Sequence, residues 1–247
     1  MQTVNAILNI SAYLFVSLFD AAALRESIHS QASKRQLKGT VLLAEEGINL
    51  FLAAGPAQIG SFLDWLKTDA RFQTLQIKES FTDTVPFKRL LVKVKPEIIR
   101  MNHPTIKPAS ARAAAVDAKT LARWLRSGVD DAGRDVLMLD TRNAFEVAHG
   151  SFKNAAHWNL SKFSDFPQAA VVHAAKLQGK TVVSYCTGGI RCEKAALFMT
   201  QAGVKNVLQL DGGILKYFEE VGSEHFEGSC FVFDEREAVR GDLSALI

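Results

Sequence analysis

Three short apolar runs constrain this chain more than any other feature. They are DVLMLD (residues 135–140), TVVSYC (181–186) and VKNVLQL (204–210). Helical segments lie between and after them: PQAAVVHAAKLQG (167–179), EKAALFMTQAG (193–203) and GGILKYFEEVG (212–222). Short buried strands separated by helices call for a parallel sheet covered on both faces. In such sheets the reactive groups gather at the carboxyl ends of strands. Asp140 and Cys186 each stand at such an end.

The first part of the chain, residues 1–95, reads differently. VNAILNISAYLFVSL has strand-like content, and DAAALRESIHSQASKRQ suits a helix with Asp20 at its N-cap and Gly39 beyond its end. GTVLLAEEGINLFLAAG predicts a hairpin turning at Glu45-Glu46-Gly47. PAQIGSFLDWLKTDARF is a helix opened by Pro56, with Ile59, Phe62, Leu63 and Leu66 on one face. LQIKESF and RLLVKVKPEII return as strands. The order β-α-β-β-α-β is that of a ferredoxin-like α+β domain. Pro96, Pro104 and Pro108 then mark a linker, followed by a helix over DAKTLARWLRSG, so residues 96–129 join the two parts. The α/β domain spans 130–222, and residues 223–247 form a tail.

A chain of 247 residues buries roughly 70–75% of its unfolded surface, so its core needs no disulfide or metal staple. Its three cysteines, Cys186, Cys192 and Cys230, make no disulfide framework and no C-x2-C zinc pair. The six histidines show no metal-ligand spacing, and no phosphate-binding or dinucleotide fingerprint occurs. No cofactor is evident. The N-terminus lacks a basic region and a small-residue cleavage site. No apolar run reaches the ~18 residues of a membrane span. The expected compartment is a reducing cytoplasm, where an accessible cysteine serves chemistry more often than structure. Net charge is only +3, but Arg71 to Arg112 holds nine basic residues against three acidic ones. That zone is either a solvated face or a polyanion footprint.

The most informative stretch is SYCTGGIRCEKAALF (184–198), which is strand, tight loop, helix. Gly188 and Gly189 let the backbone curl, so the amides after Cys186 turn toward one spot. The helix beginning near Ile190 aims its free N–H groups and positive dipole end at the same spot. Arg191 adds a permanent charge. A thiol there should have a lowered pKa and form a nucleophilic thiolate over an anion cradle built from Thr187, Gly188, Gly189, Ile190 and Arg191. Cys192 either packs inward from the helix or acts as a second thiol that resolves an oxidised Cys186 as a disulfide. Cys230 reads as core or strand.

Loop length separates two chemistries. Cysteine phosphatases use a C-x5-R cradle, whereas Arg191 follows Cys186 at C-x4-R spacing, which suits a smaller group such as a persulfide sulfur. The segment resembles the active-site loop of rhodanese-type sulfurtransferases. LDTRNAFEVAHGSFKNAAHWNL resembles their D-x-R, Glu, G-H-I-x-G-A pattern: Asp140, Arg142 and Glu146 match, while His149-Gly150 is inverted and Asn154 replaces a glycine. These three charged residues anchor neighbouring loops, and Arg142 also stands as a candidate for the pocket.

A narrower resemblance covers the whole chain. CTGGIRCEKA (186–195), LAEEGINL (43–50), DTRNAFE (140–146), GGILKYFE (212–219) and FVFDERE (231–237) resemble the rhodanese-like tRNA uridine hydroxylases. The resemblance implies an acylphosphatase-like, ferredoxin-like N-terminal domain before a rhodanese domain. It implies oxidation of the wobble uridine of tRNA to 5-hydroxyuridine, molecular oxygen as co-substrate, and Cys186 as the essential residue, carried as a persulfide. Several members have a cysteine-rich C-terminal extension, and the sequence ending at Ile247 is expected to work without one. On this reading the anticodon loop of tRNA is the partner, and Lys88, Arg89, Lys93, Lys95 and Arg100 are its phosphate contacts. A plain sulfurtransferase and a non-catalytic binding module are the rival classes, and the intact cradle around Cys186 argues against the second.

Overall fold

The computed structural model describes residues 6–246. The first residues of the opening segment, Met1–Asn5, and Ile247 lie outside them. The chain divides into two compact units, one extending to Ile99 and including Asp234–Arg236, the other comprising the rest.

The first unit contains β1 (Ile7–Phe15), α1 (Ala21–Lys34), β2 (Lys38–Ala44), β3 (Gly47–Ala54), α2 (Pro56–Leu66), β4 (Ile77–Thr82) and β5 (Leu90–Val94). Its sheet runs β4-β1-β3-β2-β5. The first four positions are the antiparallel ferredoxin-like order, and β5 extends the β2 edge in parallel. The predicted hairpin forms, with Ala44 opposite Gly47 across Glu45-Glu46. Helices α1 and α2 cover the sheet through Ile28, Ala32, Ile59 and Phe62, which share one core with Val41, Ile48 and Leu50. Asp20 holds the N-cap position of α1, but its carboxylate makes no cap hydrogen bond. It accepts instead from Arg71 at 2.5 and 3.0 Å. A long-range charge-assisted pair has replaced the local cap.

The second unit holds β6 (Ala115–Val116), α3 (Ala118–Ser127), β7 (Val136–Asp140), α4 (Ala144–Val147), β8 (Gly150–Phe152), β9 (Ala156–His157), α5 (Phe166–Leu177), β10 (Thr181–Tyr185), α6 (Ile190–Gln201), β11 (Val207–Leu210) and α7 (Gly213–Val221). β12 (Phe226–Gly228), β13 (Cys230–Phe231) and β14 (Ala238–Val239) follow. The main sheet is parallel, in the order β6-β11-β10-β7-β9. The three apolar runs form its central strands, and β10 is buried along its whole length. Helix α3 starts where the Asp117 carboxylate accepts from the Thr120 amide at 2.8 Å. It ends at left-handed Gly128.

Residues 223–247, read from sequence as a tail, carry β12 to β14. β12 pairs with β8, placing Phe226 opposite Phe152, and β13 pairs with β14. Strands of two or three residues show no periodicity, and of these only the placement of Cys230 in core or strand was legible in the sequence; it lies buried in β13. Register at the sheet's carboxyl edge sets Tyr185 beside Asp140, and the chain then enters the loop at Cys186.

Candidate active site

The loop from Cys186 to Arg191 closes as the backbone physics requires. Gly189 takes the left-handed conformation at φ 96° and caps α6. Its N–H then donates to Cys186 Sγ at 3.1 Å. The Arg191 amide also favours the thiolate form of this sulfur. A second brace comes from outside the loop. The first turn of α7 sends the Ile214 amide to the Cys186 carbonyl at 3.0 Å and the Leu215 amide to the Thr187 carbonyl at 3.1 Å. This approach has no room for a side chain at Gly213, where an added Cβ would lie 2.5 Å from the Cys186 carbonyl oxygen. With its carbonyls engaged outward, the loop is free to turn amides inward. Thr187 Oγ1 donates to the Phe231 carbonyl at 3.3 Å, fixing the start of the loop to β13.

Cys186 is 0% exposed. Burial alone pushes a thiol up, because the thiolate loses its hydration. Here the Cys192 thiol, the Arg191 charge and the amides of Arg191 and Gly189 outweigh burial, and the Cys186 thiol titrates well below an ordinary cysteine. Cys192, in the first turn of α6, is also 0% exposed. Burial and the neighbouring Cys186 thiolate push its thiol up. Each thiol therefore bears on the ionisation of the other, Cys192 favouring the thiolate on Cys186 and opposing its own. Thr141 Oγ1 lies 3.7 Å from Cys192 Sγ and donates to the Tyr185 carbonyl at 2.9 Å. Cys192 thus packs inward and also touches the candidate nucleophile.

Arg191 does not stand open in the cradle. Its guanidinium forms a bidentate pair with Glu146, at 2.5 and 2.7 Å, and both side chains are buried. Glu146 in turn accepts from the Asn143 amide at 3.0 Å, locking α4 to the pair. Burial opposes the Arg191 charge, and the Glu146 carboxylate more than restores it. One donor is unspent: Arg191 Nε is buried with no hydrogen-bond partner among the described residues.

Asp140 and Arg142 form a second buried pair, bonded through Nε at 2.9 Å and Nη2 at 2.6 Å. Arg142 also donates to the Gly150 carbonyl at 2.6 Å and lies over the Tyr185 ring. These contacts hold backbone and strand ends, so Arg142 anchors the loop after β7. The structure thus brings Cys186, Thr187, Gly188, Gly189, Ile190, Arg191, Cys192 and Glu146 together, with Asp140 and Arg142 behind them. Thr141, Gly213 and the α7 amides are site residues that sequence reasoning missed. Only the Gly212-Gly213 pair before an apolar helix signalled such a brace.

The basic residues lie elsewhere. Lys88, Arg89, Lys93 and Lys95 are exposed on the first unit. Lys88 is 3.7 Å from Glu235, and Lys93 lies on edge strand β5, where lysine also discourages strand addition. Arg100 begins the second unit and donates to Asn102 at 2.9 Å. Among the described residues, no group of three or more His, Cys, Asp or Glu side chains is placed to hold a metal ion. No described helix is long and apolar enough to cross a membrane.

Fold and site together define a two-domain chain with a cysteine-centred rhodanese-type loop. Family models agree: residues 7–98 match the UPF0176 acylphosphatase like domain, and residues 121–220 match the rhodanese-like domain. Close relatives extend over nearly the whole chain. A Bordetella pertussis protein named tRNA uridine(34) hydroxylase is 59% identical over 240 residues, covering 97% of this chain and 98% of its own. Bearers of the same name from Delftia acidovorans and Cupriavidus necator are 60% and 56% identical, over 96% of this chain and 90% and 84% of theirs. The chain belongs to the tRNA uridine(34) hydroxylase family.

Proposed function

We propose that this protein converts uridine 34 of tRNA to 5-hydroxyuridine, with Cys186 as its reactive thiolate and molecular oxygen as co-substrate. The observation that carries the reading is kinship at 56–60% identity, over nearly full length, with relatives named for that activity. The site supplies chemistry to match. A uracil ring is electrophilic at C6, and a thiolate held ready without a separate base can add there. Addition breaks the C5=C6 π bond and places its electron pair toward C5, the carbon to be oxidised; later expulsion of the thiolate restores the double bond. Arg191 Nε is a donor for an oxygen atom of a base or an oxidised sulfur in the cradle. Dioxygen leaves one oxygen atom on C5 and the other as water, and the two electrons and two protons this takes come from the Cys186 and Cys192 thiols as they close to a disulfide, which an added thiol reductant reopens for the next turnover. Phosphate contacts through Lys88, Arg89, Lys93, Lys95 and Arg100 give the affinity for the anticodon arm.

The C-x4-R loop favours one alternative, transfer of a persulfide sulfur from Cys186 to an acceptor. Nucleoside analysis of tRNA from cells lacking the protein separates the two readings. Loss of 5-hydroxyuridine and its derivatives is expected. Loss of thiolated bases with 5-hydroxyuridine intact would replace hydroxylation by sulfur transfer.

A further inference from the structure

Beside the cysteine loop lies an aromatic cluster that no step above employs. Phe231 packs edge to face against Phe145 at 5.2 Å and against Phe233 at 5.1 Å, and His149 tilts onto it at 5.3 Å. Phe145 and Phe233 are each 49% exposed. They are the exposed phenylalanines of the second unit; the other two in the described chain, Phe19 and Phe81, belong to the first. Leaving large aromatic surface in water forgoes roughly 25 cal/mol per Å² of apolar area, so two such rings on one spot point to an occupant.

The cluster is tied to both ends of the reactive loop. The Phe231 carbonyl accepts from Thr187, the residue after Cys186, at 3.3 Å. Phe145 immediately precedes Glu146, whose carboxylate grips Arg191 at the loop's far end. Phe145 and Phe231 therefore stand on backbone joined to the cradle, and Phe233 packs on Phe231.

We propose that Phe145 and Phe233 form a stacking platform for the unpaired nucleobases that flank the reacting uridine. The proposal rests on the tRNA reading above. To reach a sulfur held in this loop, a base of a single-stranded loop must unstack from its neighbours. The neighbours then lose stacking on one face, and aromatic side chains restore it without regard to sequence. A protein partner would fit the apolar rings equally well in principle, but it would need no access to Cys186. The position against both ends of the loop favours the RNA.

The probe is an anticodon stem-loop RNA carrying uridine 34 and 2-aminopurine at the adjacent position, titrated with the full-length protein. Wild type should quench the 2-aminopurine on binding. Phe145→Ala and Phe233→Ala should each weaken binding about 5- to 150-fold, the equivalent of ~1–3 kcal/mol per stacked base, and diminish the quench. Phe145→Trp should restore both, whereas Phe145→Leu, which keeps apolar bulk without a ring, should not. Melting curves identify any variant that fails through misfolding, and the tryptophan variant then carries the test. Alanine variants that bind and quench like wild type would overturn the platform, as would absence of quenching by wild type. Hydroxylation is scored separately. An active wild type with indifferent alanine variants defeats only the platform, and a stacking but inactive wild type defeats only the hydroxylase reading.

Discussion

Cys186 and Cys230 are both 0% exposed in the same unit, yet their thiols are driven in opposite directions. Burial pushes Cys230, in strand β13, up to about 12. The same penalty acts on Cys186 and is overcome there by amide donors, the Cys192 thiol and the Arg191 charge. Burial is therefore not what distinguishes a reactive cysteine from a packed one. The donors count, and here they come from one left-handed glycine, one helix start and one arginine held by a carboxylate.

The harshest way to break this contrast is to remove the carboxylate behind the arginine. Glu146→Gln leaves Arg191 buried with half its partner lost, and removal of one member of a buried pair costs about 3–5 kcal/mol. Denaturant melts should show that loss, while a substitution at exposed Glu227 should cost under about 0.5 kcal/mol. Equal effects at the two positions would dissolve the special standing of the pair.

A sharper test reads the thiolates directly. Ultraviolet thiolate absorbance should be present near neutral pH in wild type, vanish in Cys186→Ser and persist in Cys230→Ala. Absorbance that first rises above pH ~8.5, the range of an unperturbed cysteine, would place Cys186 with Cys230.

Stability against pH should separate them again, with opposite signs. The folded-state value of Cys230 is raised, so its contribution is complete below an ordinary cysteine's pKa and declines as pH rises toward about 12. Cys230→Ala should remove up to about 1.4 kcal/mol per pH unit from the alkaline slope. The folded-state value of Cys186 is depressed, so its contribution is present above the ordinary value and is lost as pH falls through the lowered one. Urea melts across this range check both. A Cys230→Ala slope identical to wild type would contradict the assignment.

The smallest expected effect lies in the first unit. Lys93→Ala and Lys95→Ala should each lower the salt dependence of tRNA binding by about one in log–log slope, with no effect on thiolate absorbance. Salt-independent binding by wild type would remove this surface from the phosphate contacts.

Much of this molecule was legible in its sequence. Strands β1 to β3, β7, β10 and β11 are long enough, or apolar enough, to declare themselves. The Cys186 loop was readable because its physics is local: a strand end, glycines, a helix start and an arginine fall within a few residues. What escaped was non-local. The Arg191–Glu146 pair joins residues 45 apart, and the amides bracing Cys186 come from α7, beyond β11. The Asp20–Arg71 pair overrode a reasonable cap across 51 positions. Elements of two to four residues, such as β6, β9, α4 and β13, are stabilised by their neighbours and carry no period of their own. The aromatic cluster joins Phe145 to Phe231 through packing that no spacing rule encodes.

The central claim is that the thiolate held by this loop performs the hydroxylation. Purified wild type and Cys186→Ser, supplied with unmodified tRNA, dissolved oxygen and a thiol reductant, are compared after digestion of the tRNA by mass spectrometry. 5-Hydroxyuridine is expected at position 34 with wild type and none with Cys186→Ser, at equal tRNA binding. Formation of 5-hydroxyuridine by Cys186→Ser at the wild-type rate would contradict it.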